Sequence, residues 1–206
     1  MRIQTYWMHG RRIGELKKVN FTLQVSPEKI NKEKAGIQLD LKATLINLKK
    51  SLQNGIYKEN LVVTKVEPKV TKEDLKNVNV LLGNYKTVLS DVNPGRVENI
   101  KIATERTSGI LLMPGEEFSY NNHTGMRTEV NGYKNATVIS AGEAVQGLGG
   151  GVCQVSTTLY NAVLYAGLDI VKVSNHSIPS SYVQKGRDAV VSDSGLDFVF
   201  KNNYNG

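Results

Sequence analysis

Apolar residues recur at spacings of three and four in some stretches of this chain and alternate with polar ones in others. Leu41, Leu45, Leu48 and Leu52 form one stripe, which predicts an amphipathic helix over 40–54 with Asp40 as its N-cap and Gly55 closing it. Thr71-Lys72-Glu73-Asp74 predicts a short helix, with Thr71 capping and Asp74 placed for a capping box. Asn93-Pro94-Gly95-Arg96 reads as a turn, followed by a helix through Val97, Ile100, Ala103 and Thr104 that stops near Gly109. Val155, Leu159, Ala162, Val163 and Ala166 predict a further helix, with Gly167 as its C-cap. Short apolar or alternating runs predict strands at 21–25, 61–66, 78–82, 110–113, 136–139, 170–173, 189–191 and 198–200. The stretch to about Glu15 has no clear period, and 118–125 leads into a polar loop at His123-Thr124-Gly125. The expected fold is α+β, a mixed or antiparallel sheet with a few packed helices. Residues 1–75 read as a small strand–helix–strand unit and 76–206 as a second domain.

Composition narrows the function classes. The chain has 206 residues and a 40% hydrophobic share, enough for a packed core without staples. One cysteine excludes an internal disulfide and a multi-cysteine zinc site, and nothing in the pattern calls for a metal or cofactor. A net charge of +7 favours anionic surroundings, including anionic cell-wall polymers. The lysines are spread through the first half without interleaved aromatics, so nucleic acid is not expected as a partner. No run approaches the roughly 20 apolar residues that span a bilayer, and the opening residues carry no signal-peptide core. Taken at face value, those absences read as cytoplasmic.

The candidate chemistry centres on the cysteine. Gly147-Leu148-Gly149-Gly150-Gly151-Val152 runs directly into Cys153, just before the last predicted helix. A helix N-terminus offers unpaired N–H groups and a positive dipole end, both of which favour a thiolate. Gly150 and Gly151 are expected to leave room for a substrate backbone beside the sulfur, with Gln154 next to it. The bland alternative is a small buried thiol beside a tight turn.

A nucleophilic cysteine needs a base and a group that orients it. Of the three histidines, His9 lies in the irregular N-terminus and His123 in a polar loop. His176 follows the strand after the cysteine helix, where an antiparallel return brings it back to the helix start, so it is the expected base. Asp188, Tyr182 and Asn175 are all available to orient it. Arg127 and Arg187 are available to bind a substrate carboxylate, with surface ion pairs as the alternative.

These residues carry a resemblance. Pro114-Gly115-Glu116 with Phe118-Ser119, Gly132-Tyr133, the run from Gly149 through Cys153 to Asn161, Asn175-His176-Ser177 and Gly186-Arg187-Asp188-Ala189 together resemble the VanW domain. This domain accompanies some glycopeptide-resistance clusters and is common in Gram-positive bacteria. The resemblance covers about residues 80–206. Upstream, Pro68-Lys69-Val70-Thr71 with Glu73-Asp74-Leu75 resembles, more weakly, the tail of the peptidoglycan-binding domain that often precedes VanW. The family resemblance implies a cysteine L,D-transpeptidase that makes 3→3 peptidoglycan cross-links, with peptidoglycan stem peptides as partners. Carried onto this chain, it makes Cys153 the nucleophile and His176 the base. Asp188 is then the expected third member, and Gly150, Gly151, Gln154, Arg127, Arg187 and Tyr182 the expected substrate contacts. Family chains usually begin with a signal or membrane anchor and continue past residues 198–203, so a wall-facing location is expected for a longer, anchored protein. A cysteine peptidase or carboxypeptidase on the same peptides, and a non-catalytic wall-binding module, are the alternatives.

Overall fold

The computed structural model describes residues 4–8, 18–23, 33–76, 80–91, 93–140 and 142–205. His9, Gln24 and Val25 lie outside the described residues. Strands β1 (Gln4–Met8) and β2 (Lys18–Leu23) come first. Then follow β3 (Gly36–Leu39), α1 (Leu41–Gln53), β4 (Val63–Val66) and α2 (Lys72–Leu75). After these come β5 (Gly83–Val88), α3 (Pro94–Arg106), β6 (Glu117–Ser119), α4 (Tyr120–Thr124), β7 (Asn135–Ser140) and β8 (Glu143–Leu148). The chain continues with α5 (Val152–Tyr165), β9 (Asp169–Lys172) and β10 (Val199–Lys201). The fold is α+β, and every described strand pairing is antiparallel.

Residues 27–77 form one compact unit; residues 1–26 group with 78–206 in the other. In the first, β3 pairs with β4, Gly36 opposite Val66. Asp40 caps α1 by accepting from the Ala43 N–H at 2.8 Å. Both halves of the capping box form at α2: Thr71 N–H donates to Asp74 Oδ2 at 2.8 Å, and Asp74 N–H donates to Thr71 Oγ1 at 3.3 Å.

The other unit holds three sheets, ordered β1-β2-β5, β6-β10-β9 and β7-β8. Its core gathers around α5: Val155, Leu159, Ala162 and Val163 are fully buried with Ile100 and Ala103 of α3, Phe118 and Phe200 from the second sheet, and Phe198 just before β10. Of the strand expected at 78–82, residues 78 and 79 lie outside the described residues and 80–82 are not in a strand; the strand there runs Gly83–Val88. Its buried positions are Gly83 and Thr87, with Tyr85 between them packed against the core and stacked on Tyr165, because β5 crosses α5 at close range. A Cβ on Gly83 would come 2.2 Å from the Ala162 carbonyl oxygen. Asn93-Pro94 is a helix start, not a free turn: the Asn93 side chain accepts from the N–H groups of Gly95 and Arg96, and Pro94 takes the first position. His123 sits on α4 rather than in a loop, its ring stacked on Phe118 at 4.4 Å.

The expected strand at 189–191 is buried but belongs to no sheet. Polar side chains of α5 take much of its backbone bonding, and Val190 N–H donates to Ser174 O at 2.8 Å. Ser156 Oγ donates to Ala189 O at 2.6 Å, Ala189 N–H donates to Thr157 Oγ1 at 3.0 Å, and Asn161 Nδ2 donates to Arg187 O at 2.8 Å. Among the described residues no helix is long and apolar enough to cross a membrane, and no cluster of three or more His, Cys, Asp or Glu is placed to hold a metal ion.

Candidate active site

The glycine turn is built for packing. Gly149 and Gly151 have φ of 83° and 105°, a region that suits glycine. A Cβ on Gly150 would stand 2.6 Å from Thr137 O, and one on Gly151 2.9 Å from Ile100 Cγ1. These two glycines let the turn seat against β7 and α3. Both also line the cleft beside Cys153. Gly151 is the N-cap, which makes Cys153 the second residue of α5. At that position the backbone N–H has no acceptor within the helix. The Cys153 side chain is half-buried, and its Sγ–H donates to Val191 O at 3.4 Å.

His176 lines the same cleft as this thiol, close enough for the two groups to interact electrostatically. On its other side, His176 Nδ1 meets Asp188 Oδ2 at 2.6 Å, and the His176 backbone N–H donates to the same oxygen at 2.6 Å. A carboxylate only accepts, so Nδ1 carries the proton in that bond and Nε2 is left for the sulfur. Asn175 Nδ2 donates to Asp188 Oδ1 at 3.1 Å and to Asp188 O at 2.8 Å, which fixes the carboxylate. Asp188 is 3% exposed, held by the segment that α5 ties down. Burial alone would raise its pKa, but the bonds from the His176 backbone, the His176 ring and Asn175 prevail and bring it below the ordinary value. Burial likewise pulls His176 down, but hydrogen bonds and charge from Cys153 and Asp188 prevail and raise it above its ordinary value. Three residues far apart in sequence therefore stand as thiol, imidazole and carboxylate in series. Of the three orienting groups left open above, Asp188 contacts the ring and Asn175 holds Asp188.

A cleft of about 550 Å³ opens over Cys153 and His176, walled by the 149–154 turn, β7 and the 190–196 segment. Tyr182 reaches it; burial, then the neighbouring Cys153 charge, pushes its phenol up to about 12, against a bond to Thr157 and the more distant Arg96 charge. Arg127 also reaches it but is engaged: NH1 pairs with Asp193 at 2.7 Å and NH2 donates to Asn121 Oδ1 at 2.6 Å. Gln154 turns its amide inward, Nε2 donating to Thr87 Oγ1 at 3.1 Å and to Val88 O at 3.0 Å. Arg187 is not in the cleft wall; Nε donates to Asn161 at 2.8 Å and the guanidinium lies 5.0 Å over the Tyr165 ring.

Two residues here escaped the sequence reading. Tyr120, fully buried, donates its O–H to Val152 O at 3.2 Å and so pins the helix start next to the cysteine. Burial holds that phenol well above its ordinary pKa, so it remains a donor. Arg96, on the first turn of α3, reaches the cleft and donates NH2 to Gln154 Oε1 at 2.8 Å. The Asn93-Pro94 cap signal would have placed Arg96 on a helix start, but no local signal brings α3 to the cysteine turn.

The family model described as "VanW like protein" matches residues 95–206. This chain belongs to the VanW-like family. All of the cleft residues just described lie inside the VanW match. Among curated proteins the chain is similar to "Uncharacterized protein YoaR" of Bacillus subtilis, 45% identical over 141 residues, 68% of this chain and 46% of that protein. It is also similar to the "Vancomycin B-type resistance protein VanW" of Enterococcus faecalis, 31% identical over 112 residues, 52% of this chain and 41% of that protein. The chain thus spans less than half the length of either VanW-family relative. No solved structure matches it.

Proposed function

We propose that this VanW chain catalyses acyl transfer on peptidoglycan stem peptides, as a cysteine L,D-transpeptidase facing the cell wall. The observation that carries the chemistry is the Cys153–His176–Asp188 series. It has the nucleophile, base and orienting carboxylate that thiol acyl transfer requires. The substrate class comes from the family resemblance and from the resistance named in the Enterococcus faecalis relative.

In this mechanism His176 Nε2 takes the Cys153 proton, and the thiolate attacks the carbonyl of the third residue of the donor stem. The N–H groups at the start of α5, Cys153 among them, face the developing oxyanion. The tetrahedral intermediate collapses, the C–N bond breaks, and the departing D-residue takes the proton from His176. A thioester remains on Cys153. An acceptor amine then attacks it while His176 removes the amine proton; the new amide forms and the thiolate leaves. Asp188 stays ionised throughout and stabilises the imidazolium.

The test is product analysis with a stem tetrapeptide, with and without an acceptor amine. Cross-linked dimer is expected only when the amine is present; shortened peptide in both cases would assign a hydrolase instead. A second reading, a non-catalytic wall-binding module, draws on the half-buried thiol and its bond to Val191 O. Iodoacetamide separates it. The catalytic reading expects Cys153 to be alkylated at least about tenfold faster than a free thiol of ordinary reactivity at pH 7, and a slower rate would favour the module.

A further inference from the structure

The charges around the cleft balance except at one residue. Arg127 is neutralised by Asp193 at 2.7 Å. Asp188 is matched by His176 at 2.6 Å and held by Asn175. Arg96 has no such partner: among the described residues no carboxylate pairs with it. It gives one N–H to the neutral Gln154 amide, and its Nε is buried without an acceptor. A buried donor with no partner is unfavourable, and a cation is more so than a neutral group. Its place is fixed from two sides. Its Cγ lies where a Cβ on Gly151 would come within 3.0 Å, and NH2 is held by the residue that follows Cys153. Tyr182, across the same cleft, feels the Arg96 charge.

We infer that Arg96 binds a free carboxylate of the donor, the terminal carboxylate of the D-residue that departs when Cys153 is acylated. This rests on the acyl-transfer reading and adds a substrate feature to it. The bond that Cys153 breaks is one residue from the end of a tetrapeptide, so the terminal carboxylate lies a few ångströms from the scissile carbonyl. Arg96 lines the same cleft as Cys153, anchored beside Gly151 and Gln154. A planar guanidinium also meets a carboxylate through paired N–H donors, a geometry that an ammonium lacks. Arg96 thereby selects donors that end in a free acid and rejects capped or amidated ends. It also gives the departing residue a reason to be last in the chain.

The test is equilibrium binding to the full chain carrying Cys153→Ala, which binds the donor without consuming it. The probes are a synthetic stem tetrapeptide ending in D-alanine and the same peptide with a C-terminal amide. The free acid is expected to bind about 10- to 100-fold more tightly, the range for a charge-assisted bond. Adding Arg96→Gln is expected to bring the two affinities within about threefold; Arg96→Lys keeps part of the preference. Equal binding of acid and amide to Cys153→Ala, or no binding of either, overturns the inference. So does a preference that survives Arg96→Gln. If Arg96→Gln loses its fold by circular dichroism, Arg96→Lys carries the test, and an unchanged acid-to-amide ratio overturns it. The acyl-transfer reading is judged separately, on the unsubstituted chain, by the thioester. A chain that forms the thioester equally from acid and amide keeps that reading and loses this one.

Discussion

Helices α1 and α5 are nearly equal in length, thirteen and fourteen residues, and meet opposite fates. Along α1, Leu41, Leu45 and Leu52 are 60%, 53% and 48% exposed, and the one buried residue is Thr44, which accepts from the Val62 N–H at 3.0 Å. Along α5, ten residues are buried, and five of these (Gln154, Ser156, Thr157, Thr158 and Asn161) are polar. The amphipathic stripe of α1 was the clearer helical signal, yet the less patterned helix forms the core. A stripe of leucines states which face prefers cover, whereas burial of polar groups requires that each find a partner. In α5 those partners are β5 on one side and the 187–189 segment on the other, and the second of these presents Asp188 to His176.

The largest effect expected from breaking this contrast is on activity. Cys153→Ala should lower cross-linking by at least about a thousandfold, measured by product formation, with little change in fold. Next is the core: Leu159→Ala should cost about 2–5 kcal/mol in denaturant unfolding, because Leu159 is fully buried on α5. The matching change on the other helix, Leu45→Ala, should cost less than about 1 kcal/mol; equal losses would remove the distinction between the two helices.

A pH series reads the site more finely. His176 is raised, so its protonated form is favoured in the folded chain. Its stabilising contribution is fully present below its ordinary value of 6.5 and is lost as pH rises through the elevated one. Asp188 is lowered, so its contribution is present above its ordinary 3.8 and lost as pH falls through the depressed value. Stability measured from pH 5 to 9 should therefore decline on the alkaline side in the natural chain, and that decline should flatten in His176→Gln. The smallest effect expected is at the α2 cap. Thr71→Ala should cost about 0.5–1 kcal/mol, read as faster amide exchange at Lys72–Leu75.

What was legible in the sequence was local. Asp40 and Thr71 cap helices because their side chains reach N–H groups three residues on, and that geometry is written in adjacent residues. The helix start at Cys153 and the return to His176 were legible for the same reason, a glycine turn followed by short elements. What was hidden depended on contacts across the fold. Arg96 reaches the cleft through α3, and nothing near it in sequence indicates this. Residues 189–191 have the composition of a strand, but α5 side chains hold the Ala189 backbone and the segment joins no sheet. Arg187 lies beside Asp188 in sequence and yet turns to Asn161 and Tyr165.

The most direct test of the Cys153–His176–Asp188 account is intact-protein mass spectrometry after brief mixing with the stem tetrapeptide, without an acceptor amine. The expected result is an adduct equal to the donor less its terminal residue, located on Cys153, slowed in His176→Gln and absent in Cys153→Ala. A natural chain that binds the peptide and gains no mass, or an adduct that persists in Cys153→Ala, would contradict it.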